Sequence, residues 1–242
     1  MRWGVESHAA WAPGIDTAAQ WQQWAKSPEP LAAEGIPDAR FLPAMLRRRC
    51  TPLSKILLKV AFTCCEEAEE RARVRTVFAS RHGSINESIA LLECVSRGER
   101  ISPAIFSHTV HNAQAGLFSI AAGNREASSS LAAGPESFAC GLIEALGHLE
   151  REPGRPVLLV TGDVPLAPTF AALIDEPACS YGVGLLLRAE GGAPCRVEIV
   201  PGDALPTAPP WPAAAEFLRF WLSGEPSLLL PGLRHAWRFT RG

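Results

Sequence analysis

The chain has 242 residues, of which 47% are apolar and 20% charged, so it can form one sizeable α/β domain and is not disordered. Its formal net charge of −2 argues against a nucleic-acid-binding protein, whose affinity comes from neutralising phosphates. The sequence does not open with a basic region followed by an apolar run, and apolar runs such as Val183–Leu187 are too short to span a bilayer, so we expect a cytoplasmic protein without a membrane span.

The first hundred residues alternate between strand and helix patterns. Trp21 and Trp24 lie three residues apart in a segment typical of an amphipathic helix. Thr51 followed by Pro52 is typical of a helix start, and apolar residues at helical spacing continue to about Glu70. The predicted elements are a strand at Val5–Ala9, helices at Thr17–Lys26, Thr51–Glu70 and Ser84–Ser96, and a strand at Val74–Ala79.

The segment from Ser107 to Ala145 is the most informative. A polar turn precedes a helix rich in small residues that ends at Ala122, and Ala127–Ala133 is typical of a buried strand. A tight turn then leads into a second helix rich in small residues. A strand, a tight turn and a helix in this order form the layout of a nucleophile elbow, which presents a nucleophile at the start of the helix.

The rest of the chain continues the alternation and predicts a mixed, layered α/β fold. The predicted elements are strands at Val157–Thr161, Gly182–Arg188 and Arg196–Val200, a helical turn at Thr169–Ile174, a linker at Pro206–Pro212, a helix at Ala213–Leu222 and a short strand at Ser227–Leu230.

The segment around the elbow resembles the core of the β-ketoacyl synthases of the thiolase-like superfamily. Their Thr-Val-x-Asn turn matches Thr109-Val110-His111-Asn112, and the serine of their Cys-x-Ser matches Ser137. The resemblance covers about residues 1–200 and is closest to the short ketosynthase-like proteins of aryl polyene pathways. It implies the fold of a ketosynthase N-terminal half, a layered α/β/α arrangement with a mixed five-stranded sheet. Residues 201–242 are then a C-terminal extension that packs on the same domain.

Two departures from a full ketosynthase bear on activity. The alignment places Pro135 where the family has its cysteine, and proline cannot attack a thioester. In the family, the C-terminal half supplies two catalytic histidines. In this sequence, the residues after Val200 include a single histidine, His235. The resemblance therefore implies a catalytically inactive protein with no cofactor and no metal.

Other residues offer alternative chemistry. The seven cysteines lack CxxC or CxxxC spacing, which predicts reduced, mostly buried thiols rather than disulfides. Cys140 lies on the helix that follows the elbow, where we expect it to pack inside rather than act as a nucleophile.

His108 and His111 have HxxH spacing without a third ligand, which favours an interface or loop-anchoring role over a metal site. A hydrolase triad could combine Ser84 or Ser107 with His82 or His108 and with Asp163, but no G-x-S-x-G signature supports it.

The densest basic run is Arg47-Arg48-Arg49. Its guanidinium groups can pair with a phosphopantetheine phosphate or with acidic side chains of a carrier protein. In ketosynthases, basic residues at this position help to dock acyl carrier protein. A solvated helix start is the alternative interpretation.

The resemblance implies a chain-length-factor-like subunit that forms a heterodimer with a complete β-ketoacyl synthase and shapes its acyl tunnel. The residues expected to line the partner's tunnel are Ile105, Phe106, Thr109 and Val110, and those expected at the interface are His111, Asn112, Ser128, Ser129 and Ser130. Acyl carrier protein is the second expected partner. The alternatives are a free-standing acyltransferase or thioesterase with a relocated nucleophile, and a homodimeric scaffold that binds carrier protein.

Overall fold

Strands and helices alternate along the chain, as the sequence predicts. The computed structural model describes residues 2–201 and 207–242. The strands are β1 (Arg2–Trp11), β2 (Arg75–Ala79), β3 (Ser128–Leu131), β4 (Val157–Asp163), β5 (Tyr181–Arg188), β6 (Ala193–Pro201), β7 (Ser227–Pro231) and β8 (His235–Arg241). The helices are α1 (Ala18–Lys26), α2 (Ala44–Arg47), α3 (Pro52–Cys64), α4 (Ala68–Arg71), α5 (Ile85–Ser96), α6 (Pro103–Phe106), α7 (Ala113–Ala122), α8 (Ser137–Arg151) and α9 (Ala213–Ser223), with a 3₁₀ turn at Pro168–Leu173.

All the strands belong to one mixed sheet, in the order β3-β2-β4-β5-β1-β6-β8-β7. The strands β3, β2 and β4 are parallel, and the pairs from β4 to β7 are antiparallel. The prediction of five strands is wrong, because β6 pairs with β1 and the C-terminal strands continue the sheet from there. These pairings join segments that are far apart in sequence.

Helices cover both faces of the sheet and give the expected α/β/α layers. α3 and α7 pack on one face, whereas α8 and α9 pack on the other. Two glycines of β5 let α3 approach closely. A Cβ atom on Gly182 would lie 2.7 Å from Ile56 Cγ2, and one on Gly184 would lie 3.0 Å from the Val60 carbonyl oxygen.

The helix predicted from Thr51 to about Glu70 is two helices. Thr51 caps α3 as expected, because its hydroxyl accepts the Ser54 N–H. α3 ends at Cys64, and the Arg71 guanidinium donates to the carbonyls of Cys65 and Glu66. These two bonds fix a turn between α3 and α4, so the helical pattern is broken although the apolar spacing continues.

The C-terminal extension shares the core of the preceding residues. Phe217 of α9 is fully buried and its ring contacts those of Trp3 and Phe138. The sequence did not predict strand β8. The predicted linker begins at Pro206, which lies outside the described residues. Within the described ranges, no helix is long and apolar enough to cross a membrane.

Candidate functional site

The elbow has the expected strand-turn-helix geometry, with Pro135 at its tip. Gly134 adopts φ +57°, a left-handed conformation that favours glycine. The Ala133 N–H donates to Ser137 Oγ (2.9 Å), and that hydroxyl donates to the Gly134 carbonyl (2.7 Å). The turn is therefore closed by the serine that matches the family motif, while Pro135 is exposed and carries no nucleophilic atom.

A cavity of about 130 Å³ lies beside the elbow. Its apolar walls come from the elbow and from the C-terminal extension, including Phe138, Trp211 and Leu230. Its polar wall includes Arg81 and Asp163. The extension thus occupies the neighbourhood of the elbow.

The polar wall is organised around the buried Asp163. Its carboxylate accepts hydrogen bonds from Ser80 Oγ (2.6 Å) and from the backbone N–H groups of Arg81 and His82 (both 3.0 Å). Burial is the largest influence on the Asp163 carboxyl and raises its pKa. These hydrogen bonds hold the loop between β2 and α5 in place. Asp163 therefore stabilises this loop.

The residues of the predicted alternative, a hydrolase triad, do not form one. The His82 ring pairs with Glu176 rather than with Asp163. Ser84 is buried and its hydroxyl accepts from Gln114 Nε2 (3.0 Å), whereas Ser107 Oγ donates to the Ala104 carbonyl (2.7 Å). Both candidate serines therefore have partners other than an imidazole.

The described residues also contain no cluster of three His, Cys, Asp or Glu side chains that could hold a metal ion. His111 lies against the loop after β2, where a Cβ atom on Gly83 would be 2.7 Å from His111 Nδ1. Burial and the nearby Arg49 charge lower the pKa of His108. His108 and His111 therefore both lie close to other residues of the same chain.

All seven cysteines are free, and burial makes several of them poor nucleophiles. Cys140 is half-buried against the core, and burial followed by the nearby Glu136 carboxylate raises the pKa of its thiol. Burial raises the pKa of Cys64, Cys65 and Cys179 to about 12. Thiols with raised pKa values form little thiolate at neutral pH, which opposes a catalytic role.

Strand β3 lies at one end of the sheet and pairs only with β2 among the described strands. The prediction that it is buried is wrong, because an end strand has one covered edge and Ser128 is exposed. Helices α7 and α8 lie on its two faces and present the exposed Ile120 and Ile143.

A groove of about 460 Å³ runs between α7 and β3. This α7–β3 groove is lined by Asn112, Ala115, Gly116, Ser119, Glu126, Ser128 and Ser130. It brings together three residues predicted at the interface, Asn112, Ser128 and Ser130. Ser129 instead faces α8, where its hydroxyl donates to Glu144 Oε1 (2.8 Å).

The residues predicted to line a partner's tunnel lie together on α6 and the turn that follows. Ile105, Phe106 and Val110 are exposed, and Phe106 has an exposed fraction of 62%. The Thr109 hydroxyl is engaged locally and donates to the Phe106 carbonyl (2.8 Å). The neighbouring α5 carries an exposed leucine, Leu92, which the sequence did not single out.

The basic run lies before α3 rather than on it. Arg47 is the last residue of α2, and Arg48 and Arg49 are exposed in the connection to α3. None of the three forms an ion pair with a carboxylate of the described residues. Their charges are available to an external anion.

Comparisons with known proteins agree with this architecture. The family model of the beta-ketoacyl synthase N-terminal domain matches residues 21–240. A chain in the structure of the ketosynthase ApeO in complex with its chain length factor ApeC, from Xenorhabdus doucetiae, matches with a TM-score of 0.83 and 28% identity over 100% of both chains. A search of curated proteins gave no match.

More distant structures share the fold. The ishigamide ketosynthase/chain length factor matches with a TM-score of 0.63 and 15% identity, over 84% of this chain and 69% of that chain. AntDE:AntF, a type II PKS acyl-carrier protein in complex with its ketosynthase, matches with a TM-score of 0.60 and 13% identity, over 83% of this chain and 70% of that chain. The fold is therefore the thiolase-like ketosynthase fold, and its sheet has eight strands within residues 2–201 and 207–242.

Proposed function

The chain belongs to the beta-ketoacyl synthase N-terminal domain family, and we propose that it is a non-catalytic, chain-length-factor-like subunit. It forms a heterodimer with a complete β-ketoacyl synthase in an aryl polyene or type II polyketide pathway. The partner supplies the cysteine and the histidines of the reaction. This chain supplies part of the wall that limits the growing acyl chain.

The observation that carries the proposal is the elbow with Pro135 at its tip. The turn is closed by the hydrogen bonds of Ser137 and contains the left-handed Gly134, yet its exposed position holds a residue that cannot form a thioester. Decarboxylative condensation through a covalent acyl-enzyme requires a nucleophile at this position. A well-formed elbow without a nucleophile favours a structural role over a catalytic one.

The surface of the chain supports a partner of the same fold. The end strand β3 offers unpaired backbone groups, and the helices packed on its two faces carry the exposed Ile120 and Ile143. An uncovered strand edge with apolar flanks is prone to pair with another chain. Full-length similarity to a chain from a ketosynthase–chain length factor complex supports the same assignment.

The exposed α6 residues suit contact with an apolar product. Ile105, Phe106 and Val110 are three exposed apolar side chains on one short segment. Placed in the partner's tunnel, their bulk limits extension by steric exclusion. Arg47, Arg48 and Arg49 dock acyl carrier protein through its phosphate or its acidic side chains.

Co-expression tests the proposal. The chain is produced with an affinity tag beside each complete β-ketoacyl synthase encoded in the same genome, and we expect one of them to co-purify at equal stoichiometry. A labelled acyl-carrier thioester should label the partner only. Labelling of this chain, or a homodimer that captures no ketosynthase, would overturn the assignment. Ile120→Asp should abolish capture, whereas Leu233→Asp, which also alters an exposed aliphatic side chain, should not.

A further inference from the structure

We propose that the end of the sheet formed by strand β7 binds a second copy of this chain. The two copies form a symmetric dimer in which their β7 strands pair antiparallel about Leu229. This end of the sheet lies opposite to β3, the strand assigned above to the ketosynthase interface. The dimer goes beyond the proposed function, because a chain that binds a ketosynthase through β3 does not need it.

Strand β7 leaves one row of backbone groups facing outward. It is the last strand of the sheet and pairs only with β8 among the described strands. At one end of this pair, the Arg241 N–H donates to the Pro226 carbonyl (3.1 Å). At the other end, the Gly232 N–H donates to the His235 carbonyl (2.8 Å). Because bonding alternates along an antiparallel pair, the even-numbered residues of β7 bond to β8 and the odd-numbered residues face away from it. The groups that face outward are the N–H and C=O of Ser227, the N–H and C=O of Leu229 and the C=O of Pro231.

The outward edge of β7 is uncharged and partly apolar. Leu228 and Leu230 are buried, whereas Leu229 lies on the other face of the strand and is 39% exposed. Natural proteins commonly protect a free strand edge with charged side chains, and the strand from Ser227 to Pro231 has none. The edge is therefore suited to pairing with another strand.

The pattern of outward groups is complementary to itself. When two β7 strands run antiparallel with Leu229 opposite its own copy, each Leu229 N–H meets the Leu229 carbonyl of the other strand. Each Ser227 N–H then meets the Pro231 carbonyl of the other strand. Pro231 has no N–H of its own, so the ladder ends there on both sides. A contact with this two-fold symmetry closes as a dimer and does not grow into a fibre.

The same register brings opposite charges together. Glu225 lies just before β7, and the exposed Arg234 lies in the turn after it. In a pair centred on Leu229, the Arg234 of each copy comes beside the Glu225 of the other. The Glu225 carboxylate pairs with Arg219 of its own chain but is 41% exposed, so it can accept from a second guanidinium group.

Other registers fit less well. A shift of the two strands by two residues separates Arg234 from Glu225 in one direction. In the other direction, the shift places Leu229 opposite Pro231, which has no N–H to donate. Only the register centred on Leu229 combines the hydrogen bonds, the contact between the exposed leucines and the charge pairs.

Sedimentation velocity of the isolated full-length chain tests the dimer. We expect a concentration-dependent equilibrium between monomer and dimer. Leu229→Lys places like charges opposite each other and should weaken association at least ~10-fold. Ile199→Lys puts the same charge on an exposed residue of β6, and Ile120→Asp alters the other end of the sheet, so neither should weaken it.

A mixing experiment tests the symmetry of the contact. Because Leu229 faces its own copy, a mixture of Leu229→Lys and Leu229→Glu chains should associate although neither variant does so alone. Misfolding of either variant would not allow this recovery. Leu229→Pro removes an outward N–H without removing a bond to β8, and it should weaken association at least ~5-fold. A monomer at every concentration, a dimer that Leu229→Lys leaves intact, or a mixture that stays monomeric would overturn the proposal.

The complex with the ketosynthase separates the dimer from the proposed function. Native mass spectrometry should give two copies of each protein with the wild-type chain and one copy of each with Leu229→Lys. If the isolated chain dimerises through β7 but captures no ketosynthase, only the proposed function fails. If the wild-type complex contains one copy of each protein, only the dimer fails. Loss of ketosynthase capture in Leu229→Lys would assign β7 to the ketosynthase and would also overturn the dimer.

Discussion

His235 Nε2 lies 3.0 Å from Glu136 Oε1, which places the only histidine of the C-terminal extension beside the elbow. The same carboxylate oxygen accepts a hydrogen bond from Trp237 Nε1 (3.0 Å). Glu136 precedes α8 and directly follows Pro135. The extension is therefore anchored at the turn where the family presents its nucleophile.

Glu136→Ala should lower the free energy of unfolding by about 1–3 kcal/mol, because it leaves the Trp237 N–H without its acceptor. Glu150→Ala, at an exposed position of the same helix, should change it by less than about 0.5 kcal/mol. Urea unfolding measures both values. Equal effects of the two substitutions would show that the Glu136 contacts do not stabilise the fold.

Pro135→Cys should create a reactive thiol without restoring ketosynthase activity. The position is exposed and lies at the start of α8, where a helix N-terminus lowers a thiol pKa. Iodoacetamide should modify the introduced thiol faster than that of Cys140, whose pKa is raised by burial. Peptide mass spectrometry gives the two rates, and condensation of acyl and malonyl thioesters by the isolated variant would contradict the prediction.

Glu225 gives a pH-dependent test of the extension. Its carboxylate contacts Arg219 Nη1 (2.5 Å), and this hydrogen bond lowers the Glu225 pKa below its usual 4.5. A lowered folded-state pKa contributes stability that is present above about pH 4.5 and is lost as the pH falls through the folded value. Because Glu225 is partly exposed, Glu225→Gln should cost less than about 1 kcal/mol at pH 7. Thermal unfolding should show the difference from wild type vanishing at acid pH.

Much of the elbow was predictable because its signals are local. The Thr109–Asn112 turn and Ser137 lie on one short segment, and Ser137 forms the expected turn. Strand β8 and the contact between Glu136 and His235 were not predictable, because both depend on pairings between distant segments. The α7–β3 groove depends on the packing of a helix against a strand, so the sequence identified some of its residues but not the groove itself.

Removal of aromatic bulk from α6 should alter the product. If Phe106 narrows the partner's tunnel, Phe106→Ala should give longer or more varied polyenes from the reconstituted pair, because the ring is the largest exposed group on that segment. Val110→Ala should act in the same direction with a smaller effect. Leu233→Ala, at an exposed leucine of the extension, serves as the control. Chromatography measures the product lengths. Unchanged lengths in both the Phe106 and the Val110 variants would show that these residues do not line the tunnel.

Charge reversal tests carrier docking separately from chain length. Replacement of Arg47, Arg48 and Arg49 by Glu should weaken binding of phosphopantetheinylated acyl carrier protein by at least ~10-fold, since the arginines have no carboxylate partners among the described residues to lose. Arg238→Glu reverses a single charge at an exposed position of β8 and should have little effect, whereas each arginine of the run reversed singly should weaken binding. Binding to carrier protein without phosphopantetheine separates the two sources of negative charge. A similar loss with both forms assigns the arginines to acidic side chains, whereas a loss confined to the modified form assigns them to the phosphate. Unchanged affinity for both forms would mean that the basic run is a solvated segment.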